Sequence, residues 1–279
     1  MINECIASQV HIPPFDVQGS LTQEQKVCAV ELGLQYLRYK NPNAYIAFSG
    51  HGLRPSSVAL DLCDYVNWEE LHPINGGGTV MGSPAQYHSV YKAVEHCSSK
   101  GFKKILKVRG DGLYGITNFF SHCDDILTKE RKKMLVTQMT ANVDNKMGDC
   151  IMFSEADLMC YIWSDTHPQH SGDGLIHIGT NFRNFFSDDL SLSWNDLVKK
   201  HCAFRNLCVL EWMDLRWNYH ALEQYGWEKF KNELFEGAFP LADFYWGKNN
   251  GWHTFDDNNN MTYSIERYYY EEKTFYNNK

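Results

Sequence analysis

The chain has 279 residues, with 26 Lys+Arg against 34 Asp+Glu for a formal charge of −8, and 43% hydrophobic and 14% aromatic residues. So many aromatics argue against a disordered polymer, and the acidic balance argues against a nucleic-acid partner captured by bulk positive charge. No apolar run approaches the ~20 residues of a membrane span and no secretory leader pattern opens the chain, so the expectation is a soluble, cytoplasmic protein without an integral membrane segment.

In chain order, residues 5–10 are short and apolar enough for a strand, closed by Pro13 and Pro14. A helix follows from Thr22: Thr22 and Gln25 have capping-box spacing, and Val27, Val30, Leu34 and Leu37 form an apolar stripe. Asn41-Pro42-Asn43 stops it, and 44–49 reads as the next strand, the start of an α/β sheet. A short strand at 63–66 precedes the glycine-rich Asn75-Gly76-Gly77-Gly78. Ser83-Pro84-Ala85-Gln86 then has the N-cap, first-turn proline and box glutamine of a helix start, with Tyr87, Val90, Tyr91, Val94 and Cys97 on its core side. Gly101 ends that helix and 104–108 is the clearest strand. Further strands are expected at 134–139, 149–153 and 208–212, and helices at 155–163, 173–186, 196–202 and 227–235. From residue 238 the composition turns to tryptophan, tyrosine and asparagine, which divides the chain into a main domain, 1–237, and a carboxy-terminal subregion, 238–279, packed on it.

Several chemistries lack their residues. The nine cysteines include no CxxC pair, so they read as buried thiols, not as a disulfide framework or zinc cage. No HExxH occurs, the glycine triplet lacks a following Gly-Lys-Ser/Thr, and GxGxxG and GxSxG are both absent. Zinc peptidase, P-loop, dinucleotide-binding and nucleophile-elbow readings are unsupported.

The informative segment is Ile105-Leu106-Lys107-Val108-Arg109-Gly110-Asp111-Gly112. A buried strand runs into a turn holding one carboxylate, and in open α/β sheets ligands sit beyond the carboxyl ends of strands. Asp111 is placed to hold a divalent ion through one or two oxygens, and Arg109 to grip a phosphate or orient the carboxylate. The alternative is a solvated turn closed by an Arg109–Asp111 pair. His177 has a similar pair of readings, a metal or phosphate ligand or a satisfied, partly buried histidine.

The order of these segments resembles a known series. Tyr39-Lys40-Asn41-Pro42-Asn43-Ala44-Tyr45-Ile46-Ala47-Phe48-Ser49, Asp64-Tyr65-Val66, Gly82-Ser83-Pro84-Ala85-Gln86, the ILKVRGD strand and Gly148-Asp149-Cys150-Ile151-Met152-Phe153-Ser154 follow one another as in the WavE-like family of lipopolysaccharide-synthesis glycosyltransferases. These are GT-A-type nucleotide-sugar transferases, with viral relatives, and the resemblance spans roughly residues 4 to 190. It implies a GT-A-like three-layer α/β/α sandwich around a mixed, mostly parallel sheet, with the aromatic-rich tail as an appendage. It also implies a glycosyltransferase that moves a sugar from a nucleotide-sugar donor to a hydroxyl of a glycan or glycolipid acceptor, assisted by a divalent metal, Mn²⁺ or Mg²⁺, for example in polysaccharide biosynthesis. The Asp-x-Asp metal triplet of the broader superfamily is here Arg109-Gly110-Asp111, which keeps only its last carboxylate.

Residue roles follow from that resemblance. Asp111 and His177 are the metal candidates. Ser8, Gln9, His51, Arg54, Gln86, Arg109 and Asp111 are the donor-binding candidates at strand exits. Asp173, opening a late helix, is the first candidate for the base that deprotonates the acceptor, with an ordinary helix cap as its other reading; Asp149 is the second. Trp246 and Trp252 suit stacking on a sugar ring or packing a core edge. A competing expectation is a non-catalytic sugar- or nucleotide-binding protein with a degenerate transferase site.

Overall fold

The computed structural model describes residues 4–12, 21–69, 84–137, 145, 147–164, 174–205, 210–239, 241, 253–255 and 261–263. Strand β1 (Cys5–Ile12), helix α1 (Gln23–Lys40), β2 (Tyr45–Gly52), the short α2 (Ser57–Leu60) and β3 (Tyr65–Glu69) come first. Next are α3 (Pro84–Ser99), β4 (Lys104–Arg109), β5 (Gly112–Tyr114), α4 (Phe119–Glu130) and β6 (Met134–Val136). Then follow β7 (Ile151–Glu155), α5 (Ala156–Trp163), α6 (Gly174–Phe185), a 3₁₀ turn at Ser187–Asp189, α7 (Trp194–His201) and β8 (Cys202–Phe204). The last elements are β9 (Trp212–Asp214), α8 (Leu215–Tyr225), α9 (Trp227–Glu236), β10 (His253–Phe255) and β11 (Met261–Tyr263).

Seven strands form one sheet in the order β3-β2-β1-β4-β7-β6-β8. Every neighbouring pair is parallel except those of β7, which runs against both β4 and β6. The expected mixed, mostly parallel α/β architecture is therefore present. Its two helical layers follow from chain direction. From β1 the sheet grows through β2 to β3 with α1 and α2 on one face, then returns to place β4 on the other side of β1, with α3 crossing the opposite face. Right-handed crossovers require that change of face when the direction of growth reverses.

Strand alternation divides the side chains accordingly. Cys5, Ala7, Ala47, Ile105 and Met152 pack under α3, α5, α6 and α7. Ile6, Ile46, Leu106, Val108 and Phe153 pack under α1 and α4, and Val10 and Phe48 under α1 and α2. A period of two on strands buried on both sides produces this split. Helix α1 is buried nearly all round, because its outer side is covered in turn by β5, β9, α8 and α9 through Ala29, Leu32, Tyr36, Met213, Leu222 and Phe230.

Local signals placed several ends correctly. Thr22 caps α1 with a full capping box: Gln25 N–H donates to Thr22 Oγ1 at 3.3 Å and Thr22 N–H to Gln25 Oε1 at 2.9 Å. Two expectations need correction. The strand expected at 208–212 is Trp212–Asp214, which pairs not with the main sheet but with β5. The stretch expected as 134–139 is described as strand only over Met134–Val136. Ser83, Pro13 and Pro14, the glycine triplet and residues 242–252 lie outside the described residues. Phe239 and Leu241, at the start of the expected carboxy-terminal subregion, are buried in the cluster with α8 and α9. The cysteines of the described residues are free thiols, as expected, and burial pushes Cys63 and Cys150 up to about 12.

The glycines beside Asp111 stand where no side chain fits. A Cβ on Gly110 would stand 2.9 Å from the Phe48 ring, and one on Gly112 would stand 2.4 Å from Trp212 Nε1. On α1, a Cβ at Gly33 would stand 2.5 Å from the Gly110 carbonyl oxygen. Gly33→Ala is expected to destabilise the protein by about 1–3 kcal/mol through overpacking against backbone that cannot rotate away. Chemical denaturation measures it, and an unchanged midpoint would show that α1 can separate from this turn.

Candidate active site

The carboxyl ends of β1, β2 and β4 and the amino end of β7 lie together at one edge of the sheet, since Gln9 pairs with Ser49 and Arg109, and Val108 with Ile151. Between β1 and β4 the strand order changes direction, the position at which open α/β sheets leave a crevice for ligands. On the α3 face this edge is polar. His11 and His51 stack with ring centroids 4.1 Å apart, and His51 Nδ1 meets Ser89 Oγ of α3 at 3.2 Å. Burial, then Lys26, lowers the pKa of His11 and favours its neutral form. Gln9 is buried beside them.

Two residues before Arg109 on the same face of β4 stands Lys107, whose side chain has no exposed surface and is flanked by Leu106 and Val108. Its Nζ donates to the Asp149 carbonyl, lies 3.9 Å from Asp149 Oδ2 and sits 5.1 Å from the centre of the Trp163 ring. Gln86, in the first turn of α3, donates its Nε2 hydrogen to the same Asp149 Oδ2. Burial drives the Lys107 pKa down, with Asp149 opposing it. For Asp149 burial would raise the pKa, but Lys107, Arg109 and the Gln86 hydrogen bond outweigh it and hold the carboxylate ionised. A carboxylate held that acidic is a weak base, so its geometry suits holding Lys107 better than the base role expected of it.

Beyond the end of β4 lies an ion quartet of two buried carboxylates and two partly exposed guanidiniums. Arg109 donates twice to Asp111, Nε to Oδ1 and Nη2 to Oδ2, each at 3.0 Å. Arg216 Nε lies 2.6 Å from Asp111 Oδ2 and its Nη2 bonds Asp214 Oδ2 at 3.1 Å. Asp214 also caps α8 by accepting from the Arg216 amide at 2.9 Å. The β5–β9 ladder pairs Gly112 with Asp214, and the Leu215 amide donates to the Asp111 carbonyl at 3.0 Å, so backbone contacts hold the two tripeptides together. Burial alone would lower the Arg109 pKa; Asp111 and then Asp214 outweigh it and keep the guanidinium charged. Tyr114 ties down the strand end by accepting from the Arg109 amide and donating to the Arg109 carbonyl, both at 2.7 Å. Burial, then Asp111, pushes that phenol well up and keeps its proton in place.

The expected site residues separate into groups. Arg109 pairs with Asp111, and Gln86 with Asp149, while Gln9 and His51 share the polar face. Ser8 is on the opposite face from Gln9, fully buried, with its Oγ next to the position a Gly110 Cβ would take. Arg54 is exposed beyond the end of β2. His177 is buried, packs edge-on against Tyr87 at 5.1 Å and meets Asn181 Nδ2 at 3.2 Å. Asp173 and both Trp246 and Trp252 lie outside the described residues.

The turn does not fit the divalent ion that the resemblance implies. Mn²⁺ and Mg²⁺ take oxygen ligands, commonly carboxylates open to substrate and water. Here the Asp111 side chain is 2% exposed and both its oxygens face guanidinium groups. Among the described residues no group of three His, Cys, Asp or Glu is arranged to hold a metal.

Arg216, Asp214, Lys107 and Tyr114 were not singled out from sequence as site residues. Lys107 had a local signal, a lysine in a four-residue apolar run. The Asp214-Leu215-Arg216 triplet mirrors Arg109-Gly110-Asp111, but nothing local joins segments so far apart.

No family model matches the sequence, and no curated protein matches it. Among solved structures the chain is similar to a protein assigned as a nucleotide-diphospho-sugar transferase from Desulfovibrio desulfuricans G20 (TM-score 0.43, 10% identity, 85% of this chain and 99% of that one). It is also similar to TarS of S. aureus (TM-score 0.40, 8% identity, 65% of this chain), of which it spans only 34%. A third is 4-diphosphocytidyl-2C-methyl-D-erythritol synthase from Anaerococcus prevotii DSM 20548 (TM-score 0.40, 11% identity, 73% of this chain and 89% of that one).

Breaking the Lys107–Asp149 pair should be costly, because it leaves a buried ammonium without its counter-ion. Asp149→Asn is expected to destabilise the protein by about 3–5 kcal/mol at neutral pH. The Asp149 pKa is lower folded than unfolded, so its stabilisation is present above the ordinary carboxylate value, ~3.9, and fades as pH falls through the folded value. The acid limb of the stability profile should therefore be steeper in the wild type than in Asp149→Asn; superimposable limbs would remove Asp149 from this account.

Proposed function

We propose that this protein is a glycosyltransferase that moves a sugar from a nucleotide-sugar donor to a hydroxyl of a glycan or glycolipid acceptor. The carrying observation is the polar edge at the reversal of strand order, where Gln9, His51 and the guanidinium of Arg109 stand at the carboxyl ends of β1, β2 and β4. Such an edge takes phosphorylated ligands when cations and a helix amino end converge on it. Arg109 lies at the strand end, and the first turn of α3 reaches the same edge through Gln86. The order of segments along the chain, which resembles the WavE-like transferases, supplies the sugar and the acceptor.

In this reading the acceptor oxygen bonds the anomeric carbon as the bond from that carbon to the diphosphate breaks. The acceptor proton passes to a carboxylate base, for which Asp173 remains the proposed residue. The diphosphate leaves with its new charge held by preorganised cations of the chain. Lys107 and Asp149 are paired beneath this edge and hold α3 and the start of β7 against β4.

A panel of nucleotide sugars tests the proposal, with turnover followed by release of nucleoside diphosphate with and without an acceptor mixture. At least one donor should be hydrolysed or transferred, and Arg109→Ala should lower that rate by roughly a hundredfold, as for loss of one charge-stabilising donor. If donors bind and none turns over, the protein is the non-catalytic nucleotide-sugar binder. If none binds, the reading is wrong.

A further inference from the structure

Asp111 and Asp214 are each 2% exposed at the side chain, whereas Arg109 is 15% and Arg216 34% exposed. The anions stand behind and the cations in front. An acid-pair metal site has the reverse order, with carboxylate oxygens turned toward the ligand. Arg109 spends Nε and Nη2 on Asp111, and Arg216 spends Nε and Nη2 on Asp111 and Asp214. The Nη1 groups of both have no acceptor among the described residues, so each fork keeps donors for a ligand.

We propose that Arg109 and Arg216 bind the diphosphate of the nucleotide ligand directly, and that they take the place of a divalent ion, so that diphosphate binding does not depend on metal. The assignment rests on the nucleotide-sugar reading above and adds Arg216, from the far end of the chain, to the binding groups. Asp111 and Asp214 act as positioning residues. They neutralise the guanidiniums while the ligand is absent and fix the planes of both forks, so little side-chain freedom is lost on binding. Lysine would not substitute, because a point ammonium cannot hold two carboxylate oxygens and a phosphate oxygen in one plane.

The experiment is calorimetry on the whole chain with UDP, GDP, CDP and ADP, and with the matching nucleosides, in EDTA and then in excess Mn²⁺ or Mg²⁺. At least one diphosphate should bind in EDTA, with a Kd that changes less than about threefold when metal is added, and its nucleoside should bind at least about tenfold more weakly. Arg216→Lys, which keeps the charge beside both carboxylates, should weaken the diphosphate by roughly tenfold and leave the nucleoside unchanged. A diphosphate that tightens tenfold or more with metal overturns the metal-free assignment and leaves the nucleotide-sugar reading standing. Metal-independent binding that Arg216→Lys does not weaken removes Arg216 from the site. Absence of diphosphate binding with and without metal overturns both. The wild-type comparison with and without metal decides the metal question even if the Arg216 variant fails to fold.

Discussion

Two carboxylates buried against two guanidiniums at the end of β4 are the constraint on which the rest of this structure turns. Removing such ions from water costs several kcal/mol each, and only close, well-aligned pairing offsets it. The alignment here demands that the turn after β4 and the junction of β9 with α8 lie in register to within a hydrogen-bond length. The short β5–β9 ladder and the bond from the Leu215 amide to the Asp111 carbonyl supply that register. The tight contacts of Gly110 with Phe48 and Gly112 with Trp212 follow, because the turn is drawn down onto the sheet and leaves no volume for a Cβ. The small sheet and α8 thus belong to the site as much as to the core.

The second polar inclusion, Lys107 with Asp149 and Gln86, obeys the same rule on the other side of the strand. Alternation puts Lys107 on the α3 face, where an apolar residue would pack against Trp163 at lower cost. Its counter-ion is a carboxylate just before β7, the strand that runs against its neighbours in the main sheet, and that carboxylate accepts in turn from an amide in the first turn of α3. Three elements with separate folding tendencies converge on one ion pair. Groups that cost stability and converge at a strand-order reversal are where ligand chemistry is expected, because perturbed ionisable groups concentrate at functional sites.

Much of the frame was legible in the amino-acid sequence, because its signals are local. The capping box at Thr22, the short apolar runs of β1 and β4, and the apolar stripe of α3 each lie within a few residues, and each gave the right element. Helix α4 escaped notice for a complementary reason. Its N-cap, Asn118, is left-handed (φ 54°) and makes no side-chain cap, and the first amide, that of Phe119, is satisfied at 2.8 Å by the side chain of Asn41. The capping group lies 78 residues away, so no local pattern marks the start. The three-residue strand β5 was hidden in the same way, because its partner β9 lies about a hundred residues away along the chain.

The site divides along the same line. Sequence by itself determined that a strand of Ile, Leu, Lys and Val would run into an Arg-Gly-Asp turn at the ligand-binding edge of an α/β sheet. That depends on chain polarity and side-chain period alone. Only the tertiary structure decided which partners the turn meets. It set both oxygens of Asp111 against guanidiniums, turned Ser8 away from Gln9, and paired Asp149 with Lys107. The charge state and direction of a buried group depend on partners across the fold, since in a medium that screens weakly the nearest opposite charge governs, wherever along the chain it arises.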